Sequence, residues 1–446
     1  MQASQRSGEQ GAGHEPQTGA RDGRVRRGRK PVSGSRVLMS RAAAPRAVPR
    51  IAGLVLIGVV AGVGCARPHL DISAEVLASA RPEVLELVRG NPYNYFRLVN
   101  REWTTRVCEM LAADLPGQPV VQLHGDAHVE QFAYMRDAWG LDDFDDATRG
   151  PAPVDIVRFL GSIDLVARER GWSHDRDRTF DRFFNGYRKG MSDPAYHPPE
   201  PDVVRRHKAA TTPTTREAFL ASSEAQMKPI REARLQGAVA SMRAFGEVWR
   251  LQHPDIPDGY FHVVRAGALE MGIGSAALPK LLIRLAGPSD DPADDVLLEA
   301  KAVRPRGSDT CLEQPTSSAT PTPTIRIVES SKQVGRLKHA ILVPGPDLAI
   351  AEMAVEGKHL SDWWIRSWDP TYHEIALDDL QSVADLADLA YDAGVQLGAG
   401  AVAAENATLR QQLAASIDQG EPRLRRDAEQ LVDELLRGWR GLEKRH

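Results

Sequence analysis

The chain has 446 residues, of which 42% are hydrophobic and 26% charged, with a formal net charge of -4. That balance suits a globular protein with a sizeable core, and the small net charge offers no basic field, so no nucleic-acid partner is expected. Three widely spaced cysteines, Cys65, Cys108 and Cys311, exclude a disulfide framework and a zinc site of the usual spacing, and allow one disulfide at most.

Residues 1–50 are polar and basic, with Arg24, Arg26, Arg27, Arg29 and Lys30 and no apolar periodicity, and read as a disordered segment. An uncharged apolar run follows from Ile51 to Cys65, preceded by Arg41, Arg46 and Arg50. It is shorter than the ~20 residues that span a bilayer and has the length of a signal-peptide core. Its end, Gly62-Val-Gly-Cys65, resembles a lipoprotein signal, in which the cysteine is lipidated after cleavage. Gly62 stands where such signals usually have Leu; the other reading is an uncleaved anchor. Either one tethers the chain to a membrane, and a bacterial cell-envelope location is expected. Met39 starts a signal peptide of ordinary length, so translation from Met1 or from Met39 are both open.

From Ile72 to about Leu115 the pattern is helical, with Pro82 near a helix start, and Arg97–Leu111 reads as one amphipathic helix. Short strands are expected at Pro119–Leu123 and Trp139–Asp143. Asp155–Arg170 reads as a strong helix, and residues 175–250 as helices broken by a proline-rich loop at 194–201. The texture changes near Tyr260, where Phe261–Val264, Lys280–Leu285 and Asp295–Lys301 read as strands of an antiparallel sheet. Residues 304–324 read as a flexible loop. Helices return at Ile325–Ala340 and from Leu377 to the end. The expected organisation is a helical lobe over 72–257, a sheet-rich lobe over 258–350, and a C-terminal helical part of the same domain over 351–446.

Two acidic clusters lie close together: His124-Gly-Asp126-Ala-His128-Val-Glu-Gln131 and Asp142-Asp143-Phe-Asp145-Asp146. Carboxylates concentrated beside apolar residues need a cation or hydrogen-bond donors, and oxygen ligands of this kind suit Mg²⁺. The competing reading is a pair of solvated turns.

The two clusters resemble the loops of aminoglycoside- and choline-kinase-type phosphotransferases, which carry His-Gly-Asp-x-His-x-x-Asn, then an Asp-Phe-Gly variant, then an Asp opening a helix. The resemblance implies that Asp126, flanked by His124 and His128, orients and deprotonates an acceptor hydroxyl. It implies that Asp143, with Asp145 and Gln131, holds Mg²⁺ on ATP, and that Asp155 buttresses the first loop. Gln131 departs from the pattern, which has Asn there. Arg89–Phe96, Gly125–His128, Asp143–Ala147, Gly150-Pro151 and Asp155 with Arg158 are similar to the uncharacterised bacterial domain of unknown function numbered 2252. That likeness implies a glycine-rich hairpin at Gly272, Gly274 and Ser275, and a phosphate-binding Lys301 with its ammonium near Glu329, as its partner, or near Asp143. The implied fold is α+β, protein-kinase-like and circularly permuted, with a helical catalytic lobe and a smaller antiparallel-sheet lobe. A second expectation is a catalytically inactive module of the same fold that binds a ligand or serves as a scaffold. A third is a metal-dependent hydrolase using His124, Asp126, His128 and Asp143. A small-molecule substrate fits the first.

Overall fold

The computed structural model describes residues 70–444 apart from 116, 253, 255–260, 271–277, 288, 304–310, 313–322, 340–341 and 346–362. The expectations for residues 1–65, lipidation of Cys65 included, and for Gly272, Gly274 and Ser275 lie outside the described residues. Four short helices open the fold: α1 (Ala74–Ser79), α2 (Pro82–Gly90), α3 (Pro92–Leu98) and α4 (Asn100–Leu111). Proline sets the breaks, because it is tolerated in the first turn of a helix and not inside it. At α3 the Asn91 side chain accepts from the backbone N–H groups of Tyr93 and Asn94, a helix cap read directly from Asn-Pro.

Four short strands follow: β1 (Val120–Leu123), β2 (Phe132–Met135), β3 (Ala138–Leu141) and β4 (Thr148–Pro151). β1 pairs antiparallel with β4 and β2 with β3, so the intervening loops 124–131 and 142–147 share one end of these strands. Helix α5 (Pro153–Glu169) runs through the centre of the core, with Phe159, Leu160, Ile163 and Val166 buried. Each such side chain contributes about 1.5–3 kcal/mol of transfer free energy. Asp155, Arg158, Ser162 and Asp164 are buried on the same helix and therefore need partners.

Next come α6 (Arg176–Ser192), α7 (Asp202–Ala210), α8 (Arg216–Gln226) and α9 (Glu232–Gln252). The five-stranded antiparallel sheet is built from β5 (Val263–Ala268), β6 (Lys280–Leu285), β7 (Val296–Ala302), β8 (Leu342–Gly345) and β9 (Trp363–Ser367), in the order β5-β6-β7-β9-β8. Helix α10 (Pro323–Gln333) lies between β7 and β8 in the chain. β10 (Tyr372–Glu374) adds to β2, and α11 (Val383–Gly400) and α12 (Ala407–Glu443) close the fold. Helices α6 and α11 touch backbone to backbone: a Cβ on Gly186 would stand 2.1 Å from the Tyr391 carbonyl oxygen.

The result is a mixed α+β architecture with a large helical core and small antiparallel sheets. The sheet extends past residue 350 in sequence, taking its strand between β7 and β8 from Trp363–Ser367. Alternation explains the sheet's two faces. Leu281, Ile283, Leu298, Ala300, Trp363 and Ile365 form an apolar core with Ala238, Met242 and Phe245 of α9. The opposite face carries Lys280, Glu299, Lys301 and Arg366, all buried. Cys108 and Cys311 are joined by a disulfide. Among the described residues no helix is long and apolar enough to cross a membrane.

Candidate phosphate and metal site

The loop after β1 is shaped by α5. The backbone N–H groups of His124 and Gly125 donate to the two carboxylate oxygens of Asp155, at 2.7 and 2.8 Å. Gly125 has φ +85°, and a Cβ there would meet the Asp146 carbonyl oxygen at 1.9 Å, so glycine is required twice over. Asn100 Nδ2 donates to both the Gly125 carbonyl and the Asp146 carboxylate, joining the two acidic loops.

His124 is fully buried. Its Nε2 lies 2.8 Å from the Asp142 carbonyl oxygen, to which it donates; Nδ1 then accepts from the Asp126 N–H at 3.3 Å, and the ring packs on Phe144. With both nitrogens engaged, His124 positions the loops and has no free nitrogen for proton transfer. His128 is also buried: its Nδ1 is 3.4 Å from the Tyr93 hydroxyl, and its Nε2, 3.8 Å from Asp126 Oδ2, has no hydrogen-bond partner. Burial holds this ring well below its ordinary pKa, so it is neutral.

Asp126 is buried against Arg158. Burial raises its pKa to about 7, with the Asp146 charge adding to the rise and Arg158 opposing it. Arg158 Nε and Nη2 approach Asp126 Oδ1 at 2.9 and 2.8 Å, while the guanidinium lies 3.4 Å from the Phe96 ring centroid and Nη2 donates to the Phe96 carbonyl. One oxygen of Asp126 is thus held by Arg158, and Oδ2 lies 3.8 Å from His128 Nε2.

In the second loop Asp143 sits at φ +60°, a left-handed conformation that a non-glycine residue adopts at a cost, found preferentially where the surroundings over-determine it. Lys301 Nζ, from the middle of the sheet, reaches Asp143 Oδ1 at 2.7 Å and Asp145 Oδ2 at 3.3 Å. Trp364 Nε1 donates to the other Asp145 oxygen at 2.8 Å. Burial works against the Asp143 charge, but Lys301, Lys280 and Arg366 together hold the carboxyl far below the ordinary range. Burial and then the Asp143 charge push Asp145 the other way, upward. The Asp143 and Asp145 side chains keep 32% and 22% exposure, so the pair opens toward solvent while the lysine beneath them is buried.

Gln131 joins this loop through its backbone, its carbonyl accepting from the Asp142 N–H at 2.9 Å. Its side chain makes no hydrogen bond among the described residues. Glu329 is exposed on α10 and does not pair with Lys301, whose ammonium is taken by Asp143 and Asp145. The expected Lys301–Glu329 pair is therefore not made.

Several residues that shape the site were not singled out from sequence. Arg366 Nη1 donates to Asp142 at 2.5 Å and its Nε to Glu299 at 2.7 Å. Lys280 lies directly opposite Lys301 across the β6–β7 pair. Their signal in the sequence is a charged residue inside an otherwise apolar strand, as in Leu297-Leu-Glu-Ala-Lys301 and Trp363-Trp-Ile-Arg366.

A family described as an uncharacterized protein conserved in bacteria (DUF2252) matches residues 92–263. The match covers both acidic loops, Asp155 and Arg158, and ends before Lys280 and Lys301. No curated protein and no solved structure matches the chain.

Proposed function

We propose that the chain is a permuted, protein-kinase-like phosphotransferase that binds ATP with Mg²⁺ and passes the terminal phosphoryl group to the hydroxyl of a small molecule. The observation that carries this reading is the ion pair of Lys301 with Asp143, formed across 158 residues of sequence. A surface lysine has no reason to leave water for this position. Further support comes from the sheet: Lys301 is on its third strand in chain order, as the phosphate-binding lysine is in kinases, and α10 precedes the last two strands. The loops that precede such a sheet here follow it in ordinary kinases, which is the permutation.

Asp143 and Asp145 fit a magnesium ion. They are adjacent like charges open to solvent, and Mg²⁺ is usually held by one or two carboxylates plus substrate phosphates and water. The ion would supply charge neutralisation on the phosphates. Lys301, released from the carboxylates, would bind phosphate oxygens. Asp126 Oδ2 would take the acceptor's proton as its oxygen bonds to the terminal phosphorus, and ADP would leave.

A non-catalytic ligand-binding module is the second reading, favoured by Gln131 in place of the pattern's Asn. The hydrolase reading is the weaker, because both ring nitrogens of His124 are already engaged. Membrane attachment through Cys65 is part of the proposal, and the Cys108–Cys311 disulfide suits the oxidising compartment it would reach; that compartment holds no ordinary ATP pool, which favours the non-catalytic reading.

The test is a thermal-shift titration of the full chain with ATP, with and without Mg²⁺. Saturation at 100-fold the Kd stabilises by about 2.7 kcal/mol. The Mg²⁺-dependent part of the shift should disappear in Asp143→Ala, and turnover of ATP with trial acceptors separates the catalytic reading from the binding one. No shift in the wild-type protein at millimolar ATP and Mg²⁺ would end the phosphotransferase reading and leave the scaffold or other-ligand one.

A further inference from the structure

Lys280 acts on Asp143 through its charge, without a hydrogen bond or ion pair to it among the described residues. It is 7% exposed, at the first position of β6, and its cross-strand neighbour is Lys301. Residues directly opposite on antiparallel strands point to the same face, so both ammonium groups stand over the loop of Asp143 and Asp145. Like charges in that relation are destabilising, and burial without a counter-ion adds to the cost. Lys301 offsets this with Asp143 and Asp145, and the neighbouring Glu299 is taken by Arg366. For Lys280, among the described residues, no carboxylate lies within ion-pair distance. Burial, and then the charge of Lys301, lower its pKa. The charged groups around it are Lys301, Glu299, Asp143 and Asp145, and all four are committed to one another or to Arg366.

The geometry points to a two-lysine cradle: Lys280 and Lys301 together make this a site for a chain of linked phosphates, with Lys280 binding a phosphate that Lys301 does not reach. Two strands lie about 4.8 Å apart, so the two ammonium groups are neighbouring point charges with rotating donors, suited to oxygens on successive phosphates. A lone monophosphate or carboxylate satisfies one of them and leaves the other unpaired. The inference deepens the nucleotide reading and rests on it only for the base; the cradle itself needs the phosphate chain alone.

The test titrates the full chain calorimetrically, in the presence of Mg²⁺, with tripolyphosphate, ATP, inorganic phosphate and adenosine. The wild-type protein should bind tripolyphosphate well above inorganic phosphate. Lys280→Met should weaken tripolyphosphate and ATP by about tenfold or more, the worth of a lost charge-assisted contact, and leave adenosine unchanged. Its melting temperature without ligand should not fall, because an unpaired buried charge has been removed. As a second measurement, on the wild-type protein, acetic anhydride should acylate Lys280, and tripolyphosphate should protect it. Equal tripolyphosphate affinity in Lys280→Met, absence of protection, or a wild-type protein that does not bind tripolyphosphate would each overturn the cradle. Tripolyphosphate binding without ATP binding would keep the cradle and remove the nucleotide reading. ATP binding that Lys280→Met leaves intact would do the reverse.

Discussion

The two sides of the site are held together in opposite ways. On the helical side, Asp155 and Asp126 are satisfied by groups 30–32 residues away, the backbone N–H groups of His124 and Gly125 and the Arg158 guanidinium. On the sheet side, Lys301 and Arg366 reach carboxylates 156–224 residues away in the second loop. The first arrangement is local, and leaves the buried His128 Nε2 and Arg158 Nη1 without a hydrogen bond among the described residues. The second balances charge between two parts of the fold, and leaves Lys280 over. Replacing Asp126 should therefore act first on chemistry, whereas breaking an ion pair of the sheet side should change stability and binding together.

The largest effect expected on the helical side is that of Asp126→Asn, which should lower phosphoryl transfer by about 10²–10⁴-fold while ATP binding persists. The same carboxyl sets the pH dependence. Its pKa is raised to about 7, so it is protonated below that pH and cannot accept a proton. The wild-type rate should therefore rise with pH through about 7 and then level off. A flat pH–rate profile between pH 5 and 9 would remove Asp126 from the base role.

On the sheet side, Arg366→Met leaves Asp142 and Glu299 buried without their shared cation, and should cost about 3–5 kcal/mol in urea unfolding. The sign of its pH dependence follows from the two carboxyls. Burial opposes their charge, but Arg366 and His339 at Asp142, and Lys301, Arg366 and Lys280 at Glu299, hold both below the ordinary range. Groups with lowered folded pKa values stabilise above their unfolded values, about 4, and lose that contribution as the pH falls. The wild-type protein should lose stability below about pH 4, and Arg366→Met should show a shallower loss there. A variant as stable as wild type at pH 7 would show that the sheet side is not held by this pair.

The same contrast explains what was legible in the sequence. Asp126, Asp143 and Asp155 lie within a stretch of 30 residues, and the resemblance of the two loops to phosphotransferase loops picks them out together. The strands β6 and β7 and helix α5 were readable from periodicity. Arg366 was not, because nothing local tells a strand arginine that will be buried against Asp142 from one that will be solvated; only the sheet order places it. Strand β9 was missed for a related reason: Trp363-Trp-Ile-Arg-Ser is short, and two tryptophans read equally well as packing. Lys301 is picked out by resemblance, with Glu329 and Asp143 as its two expected neighbours; Asp143 holds it, and Glu329 is the misassigned one, because a sequence does not show which way a helix glutamate projects.

That misassignment yields the smallest expected effect and a sharp control. Glu329 is exposed while its neighbours Ile327, Val328, Ser330 and Ser331 are buried. Ser330 Oγ donates to the Leu123 carbonyl at 3.1 Å, so the buried side of α10 faces β1 and the first loop, and Glu329 projects away from it. An exposed side chain outside any cap, core or ion-pair network changes stability by about 0.5 kcal/mol or less when replaced. Glu329→Ala should therefore melt within about a degree or two of wild type and bind ATP with unchanged affinity. If Glu329 held Lys301 in place, its removal would instead leave a buried ammonium unpaired and cost about as much as Arg366→Met. A loss of that size in Glu329→Ala would mean that Lys301 changes partners between Asp143 and α10, and the sheet side would then be a switch and not a fixed cradle.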